Sequence, residues 1–305
     1  MTDQSSTRPT SPLVNHVPEK VIRYLGSLAL NAGGSLSYGQ LDSYHYSARQ
    51  ERLSQLGLEP RDLEILTTVA ACRLITSRQL QRLYFTNHSS PLSSARACSR
   101  TLKRLDRQKI LSRRNRRIGG VHRGSASFVY SVGTNGVKLL DVEGQRLRSY
   151  TTDPSDYFSS HTLELSELYT RLHEMAHSKE LRLLEVQTEP DCWRQLTTET
   201  KKLRPDMFVR TAKGDVEYSY FIEVDRGTIH MPSILLKLQL YAQYYASGVE
   251  QEKHGVFPQV LWIVPDAKRE VALNTAIKAS QSYPDGLFVV RTADCAVAYI
   301  REPDG

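Results

Sequence analysis

Leu203-Arg-Pro-Asp-Met-Phe-Val-Arg210 and, after a short gap, Tyr218-Ser-Tyr-Phe-Ile-Glu-Val-Asp-Arg-Gly-Thr228 are the runs on which the reading of this chain turns. Both are rich in β-branched or aromatic residues, and Lys213-Gly214-Asp215 between them supplies a turn, which predicts an antiparallel strand pair. Side chains alternate across a strand, so Glu223 and Asp225 share one face while Ile222 and Val224 take the other. Asp206 opens the partner strand. Three carboxylates brought together resist joint ionisation unless a cation compensates, which makes Asp206, Glu223 and Asp225 candidate ligands of magnesium or manganese. The competing reading is that these acids are solvated or paired with Arg204, Arg210 and Arg226.

The charge is uneven along the chain. The chain carries a net +7, yet Arg61 to Gly124 holds fifteen Lys and Arg against three Asp and Glu, a surplus of twelve that leaves the remainder at −5. Within that window Leu63, Leu66, Val69 and Ala70 mark one helical face, and Thr76 with Gln79 forms a capping box that starts a second helix. A third helix is expected from about Ser93 to Gln108, with Arg96, Arg100, Lys103, Arg104 and Arg107 on one basic face. Ser112 to Ile118, a Gly-rich turn, and Ser127 to Val132 then predict a hairpin bearing Arg113, Arg114, Arg116 and Arg117, with Arg123 in its turn. Three helices and a basic hairpin are the plan of a winged helix-turn-helix that binds double-stranded DNA.

These segments divide the chain into a disordered tail (1–18), a helical N-terminal arm (19–58), the winged helix-turn-helix domain (59–143), a linker (144–157) and a second domain (158–305). No apolar run approaches the roughly 20 residues that span a bilayer, and the polar N-terminus lacks a signal-type stretch. Cys72, Cys98, Cys192 and Cys295 form no CxxC pair, so a cytoplasmic protein without a disulfide framework or zinc ribbon is expected. The second domain reads as a helix from about Ser159 to Ser178, three strands, a helix from Ser233 to Tyr245, a strand at Val260 to Val264, a helix from Ala267 to Ser280, and closing strands at Leu287–Arg291 and Ala296–Ile300. Such an order gives a mixed sheet covered by helices on both faces. On its first helix His161 is expected to be a structural hydrogen-bonding residue, whereas Glu164 either stays wet near the helix start or leans toward the carboxylates.

That order, with Pro205-Asp206 on one strand, Glu223-Val-Asp225 on the next and Glu164 on the first helix, resembles the PD-(D/E)xK nuclease fold. The chain is also similar to the replication-relaxation family of plasmid and mobile-element proteins over roughly Pro60 to Tyr245. The matching residues are Arg61-Asp-Leu-Glu-Ile-Leu66, Gln79-Leu-Gln-Arg-Leu83, Arg100-Thr-Leu-Lys-Arg-Leu105, Arg204-Pro-Asp206, Glu223-Val-Asp-Arg-Gly-Thr228 and Lys237-Leu-Gln-Leu-Tyr241. The resemblance implies a two-domain α+β protein, an N-terminal winged helix-turn-helix followed by a restriction-endonuclease-like sheet, acting on DNA in replication, mobilisation or relaxation. It further implies a magnesium- or manganese-dependent endonuclease site with Asp206, Glu223, Asp225, Lys237 and Glu164 as its catalytic set. Partnership with a relaxase or replication initiator is implied too, and a homodimer is compatible with it. The nuclease pattern places a lysine where Asp225 stands, and Lys237 on the following helix is the substitute. The alternative is a non-catalytic DNA-binding accessory protein on an inactive nuclease scaffold, in which Lys237 only neutralises the acids.

Overall fold

The computed structural model describes residues 56–118, 127–140, 155–196, 202–280 and 283–303. The tail, most of the arm and linker, Arg123, and the side chains of Arg116 and Arg117 lie outside the described residues.

Local sequence sets the first helices. Helix α1 (Pro60–Cys72) begins with Pro at its first position and a reciprocal Glu59/Asp62 capping box. Strand β1 (Ile75–Thr76) leads directly into α2 (Ser77–Tyr84), where the Gln79 N–H donates to Thr76 Oγ1 at 3.1 Å and the Thr76 N–H donates to Gln79 Oε1 at 2.8 Å. Ser90 caps α3 (Pro91–Arg107). Strands β2 (Leu111–Ile118) and β3 (Ser127–Val132) pair antiparallel, and β1 joins the other edge of β3, giving the order β1-β3-β2 before the short helix α4 (Thr134–Leu140).

Helix α5 (Asp156–His177) opens the second part. Strand β4 (Arg182–Thr188) follows, then a small β5/β6 pair (Arg194–Gln195 and Lys202–Leu203), β7 (Met207–Lys213) and β8 (Val216–Val224). Helices α6 (Met231–Ala246) and α7 (Val249–His254) lead to β9 (Gln259–Val264), and α8 (Ala267–Ala279) leads to β10 (Phe288–Thr292). The five-stranded sheet has the order β10-β9-β8-β7-β4, antiparallel through β4, β7 and β8 and parallel through β8, β9 and β10. A tight turn joins β7 to β8, in which Gly214 takes the left-handed φ of 59° that a side chain disfavours. From β8 onward each strand is reached over a helix, which is the connection parallel pairing needs.

Alternation on β8 sorts the two faces. Tyr220, Ile222 and Val224 join a cluster with Leu168 and Leu172 of α5, while Phe221 joins a second with Ile234, Leu238 and Tyr241 of α6. The first cluster continues into Ile65 and Leu66 of α1 and Leu80 of α2, so α5 is packed between the N-terminal helices and the sheet. Arg82 of α2 pairs across that boundary with both Glu167, at 2.7 Å, and Glu174 of α5.

One expected element differs. Ala296–Ile300 is not a strand but part of helix α9 (Ala293–Arg301), with Ala296 and Ile300 buried four residues apart on one face. No described helix is long and apolar enough to cross a membrane.

Candidate active site and nucleic-acid interface

Asp206 immediately precedes β7, and its backbone N–H donates to Ile222 O of β8 at 3.1 Å. Its carboxylate accepts the Val224 N–H at 2.8 Å and lies 3.5 Å from His161 Nε2 of α5. Glu223 faces α6: Lys237 Nζ donates to one of its oxygens and Tyr241 OH to the other, the latter at 2.5 Å. Lys237 and Tyr241 stand one helical turn apart, so both reach the same strand position. Across the sheet the register partner of Glu223 is Trp262 of β9. A cavity of about 170 Å³ opens among Asp206, Glu223, Lys237, His161, Tyr157 and Trp262. The structure thus brings together Asp206, Glu223 and Lys237, which lie far apart in sequence.

Their charges are mutually adjusted. Burial pushes the Glu223 carboxyl up to about 8, an effect that Lys237 opposes and the neighbouring Asp206 charge reinforces. For Asp206, burial pushes upward as well, but His161, Lys237 and the Val224 N–H together hold it below the usual carboxylate value. Burial would lower Lys237, yet Glu223 and Asp206 outweigh it and keep the ammonium charged. His161 behaves alike: burial lowers it, and Asp206, Glu164 and Glu189 raise it overall. One ionised and one protonated carboxyl beside an ammonium is the cheap way to bury two acids together.

Asp225 is placed differently from its expected role. Its Oδ2 accepts from Arg269 Nε of α8 at 2.6 Å and its Oδ1 from the Gly227 N–H at 2.8 Å, with no exposed side-chain surface. Both oxygens are therefore engaged in fixing α8 and the turn after β8. Glu164 pairs with Arg226 at 3.0 Å and is half exposed, so it does not lean toward the other acids. Among the described residues no group of three His, Cys, Asp or Glu side chains is arranged to hold a metal ion. Asp206 and Glu223 remain as two carboxyl groups lining one cavity. Sequence reasoning missed Arg269 and Trp262. Trp262 carried no signal beyond being an aromatic in an apolar strand, and Arg269 none at all.

On α3, Arg96, Arg100, Lys103 and Arg107 are exposed and fall on one face. None of the four has an ion pair among the described residues. Arg104 departs from that face: its guanidinium donates to both oxygens of the fully buried Asp62, each at 2.8 Å, tying α3 to α1. On β2, Arg113 is exposed with its guanidinium 4.7 Å from the centre of the Phe128 ring, whereas Arg114, next along the strand, is buried. The expected basic surface is thus narrower by two arginines in its described part.

A sequence model described as replication-relaxation matches residues 66–260, a span that runs from α1 into β9 and takes in α3, Asp206, Glu223 and Lys237. No curated protein and no solved structure matches the chain.

Proposed function

The chain belongs to the replication-relaxation family, and from that premise we propose that it is a DNA-binding protein of plasmid or mobile-element replication, mobilisation or relaxation whose sheet unit cuts DNA with a divalent ion. The observation that carries the proposal is Lys237: the cation missing beside Glu223 on the strand is supplied from α6, in the cavity that Asp206 also lines. Arg96, Arg100, Lys103 and Arg107, with Arg113 of the hairpin, hold duplex DNA in the manner of a winged helix-turn-helix. Asp206 and Glu223, once Glu223 has released its proton, would hold magnesium or manganese, which when bound polarises a phosphate oxygen and sharpens an attacking water. Lys237 places an ammonium where negative charge grows at phosphorus. The protein would work beside a relaxase or replication initiator.

A second reading has its own support. Each acid of the motif is already satisfied inside the protein: Asp206 by His161 and Val224, Glu223 by Lys237 and Tyr241, Asp225 by Arg269 and Gly227. That arrangement suits a non-catalytic DNA-binding accessory protein equally well. Incubation of supercoiled plasmid with magnesium, manganese or chelator separates the two. Metal-dependent nicking that disappears in an Asp206→Ala, Glu223→Ala double variant is the expected result. Intact plasmid in every lane, with a gel shift retained by both proteins, leaves the accessory reading.

A further inference from the structure

We infer that the cleft takes a DNA strand carrying an unpaired nucleotide, whose base stacks on Tyr157 and whose phosphate sits against Lys237 and Trp262. This rests on the reading of the cleft as a DNA site. Tyr157 is 49 % exposed, and of the large apolar and aromatic side chains left exposed in the described residues it is the one that lines this cavity. Its ring runs parallel to the His161 imidazole, with 2° between planes and 6.5 Å between centroids. A flat, half-exposed ring at the mouth of a charged cleft is the kind of platform on which bases stack. In a duplex the base faces are already stacked and only the edges are presented, so the ring is available to an unpaired or extruded base alone.

Deeper in, two polar atoms lack partners. Trp262 is 2 % exposed and its indole N–H has no acceptor, and His161 Nδ1 is likewise buried without a partner. Buried polar atoms left unsatisfied are costly and rare, and both belong to residues lining this one cavity. The Trp262 indole N–H is a donor and Lys237 adds an ammonium, a pair that matches phosphate oxygens. Ser233 and Ile234, in the first turns of the 16-residue helix α6, also border the cavity and bring the positive end of the helix to it.

The test is binding of a labelled six-nucleotide single-stranded oligothymidylate, in calcium, to protein whose α3 face is neutralised by R96A, R100A, K103A and R107A. Tyr157→Ala should bind about tenfold more weakly, the worth of one stacked base, while Tyr157→Phe keeps the affinity. Trp262→Phe, which retains a ring and removes the N–H, should also weaken binding. Retention of affinity in Tyr157→Ala, equal loss in Tyr157→Phe, or displacement of the oligonucleotide by an equal concentration of blunt duplex would each overturn the inference. Plasmid nicking by the same proteins keeps the two readings apart. A protein that cuts nothing yet binds the oligonucleotide through Tyr157 retains this inference and loses the nuclease reading. One that nicks plasmid while Tyr157→Ala binds unchanged does the reverse.

Discussion

Glu223 occupies a place where an acid is costly: mid-sheet, 2 % exposed, with Phe221 two residues before it in the α6-side core. Lys237 and Tyr241 both donate to it, yet burial still carries its pKa from 4.5 to about 8. Between those two values the unfolded chain has lost the proton and the folded protein retains it, so the Glu223 contribution to stability falls as pH rises from about 4.5 through 8. Asp206 works with the opposite sign, its contribution being present above the ordinary Asp value and lost as acid protonates it. Glu223→Gln removes the first dependence and leaves the second. In urea denaturation the wild type should therefore lose stability relative to Glu223→Gln between pH 5 and pH 8. A constant difference across that range would mean that Glu223 ionises normally in the fold.

Helix α3 divides its cations between an internal ion pair and an exposed face. Arg104→Ala leaves the Asp62 carboxylate buried with one donor fewer, which should cost about 2 kcal/mol by the worth of charge-assisted hydrogen bonds. Arg100→Ala, on the exposed face, should leave stability within about 0.5 kcal/mol while weakening DNA binding and flattening its salt dependence. Denaturation and gel shifts across a salt series check both, and equal losses of stability in the two variants would erase the distinction. What was legible in the sequence was local: the Thr76/Gln79 capping box, and the Lys213-Gly-Asp turn between β7 and β8. Lys237 was legible too, because helical periodicity set it on the face of Ile234 and Tyr241. Arg104 and Asp62 are 42 residues apart and Arg269 and Asp225 are 44, and no periodicity announces such pairs. Ala296-Val-Ala-Tyr-Ile300 alternates too briefly to separate strand from helix, and packing of Ala296 and Ile300 decided it.

For the molecule as a whole, the decisive feature is that α5 belongs to two neighbourhoods. Its Leu168 and Leu172 share a cluster with Ile65 and Leu80 on one side and with Ile222 of the sheet on the other, while Ser166 Oγ donates to Leu74 O across the boundary. Arg82 adds a two-carboxylate clamp, and Arg73, at the end of α1, reaches Glu189 after β4 at 2.7 Å. Units joined this way cannot separate without exposing apolar surface from both, so α3 and the cleft belong to one continuous body. The described parts should then unfold together, in one calorimetric transition whose van't Hoff and calorimetric enthalpies agree. Arg82→Ala should lower stability by about 1–2 kcal/mol, since its partners are partly exposed, and should shift that transition without splitting it. Two resolved transitions in the wild type, with Arg82→Ala acting on the spacing between them, would instead mean that the helical unit and the sheet fold independently and that binding and cutting are coupled only through the chain.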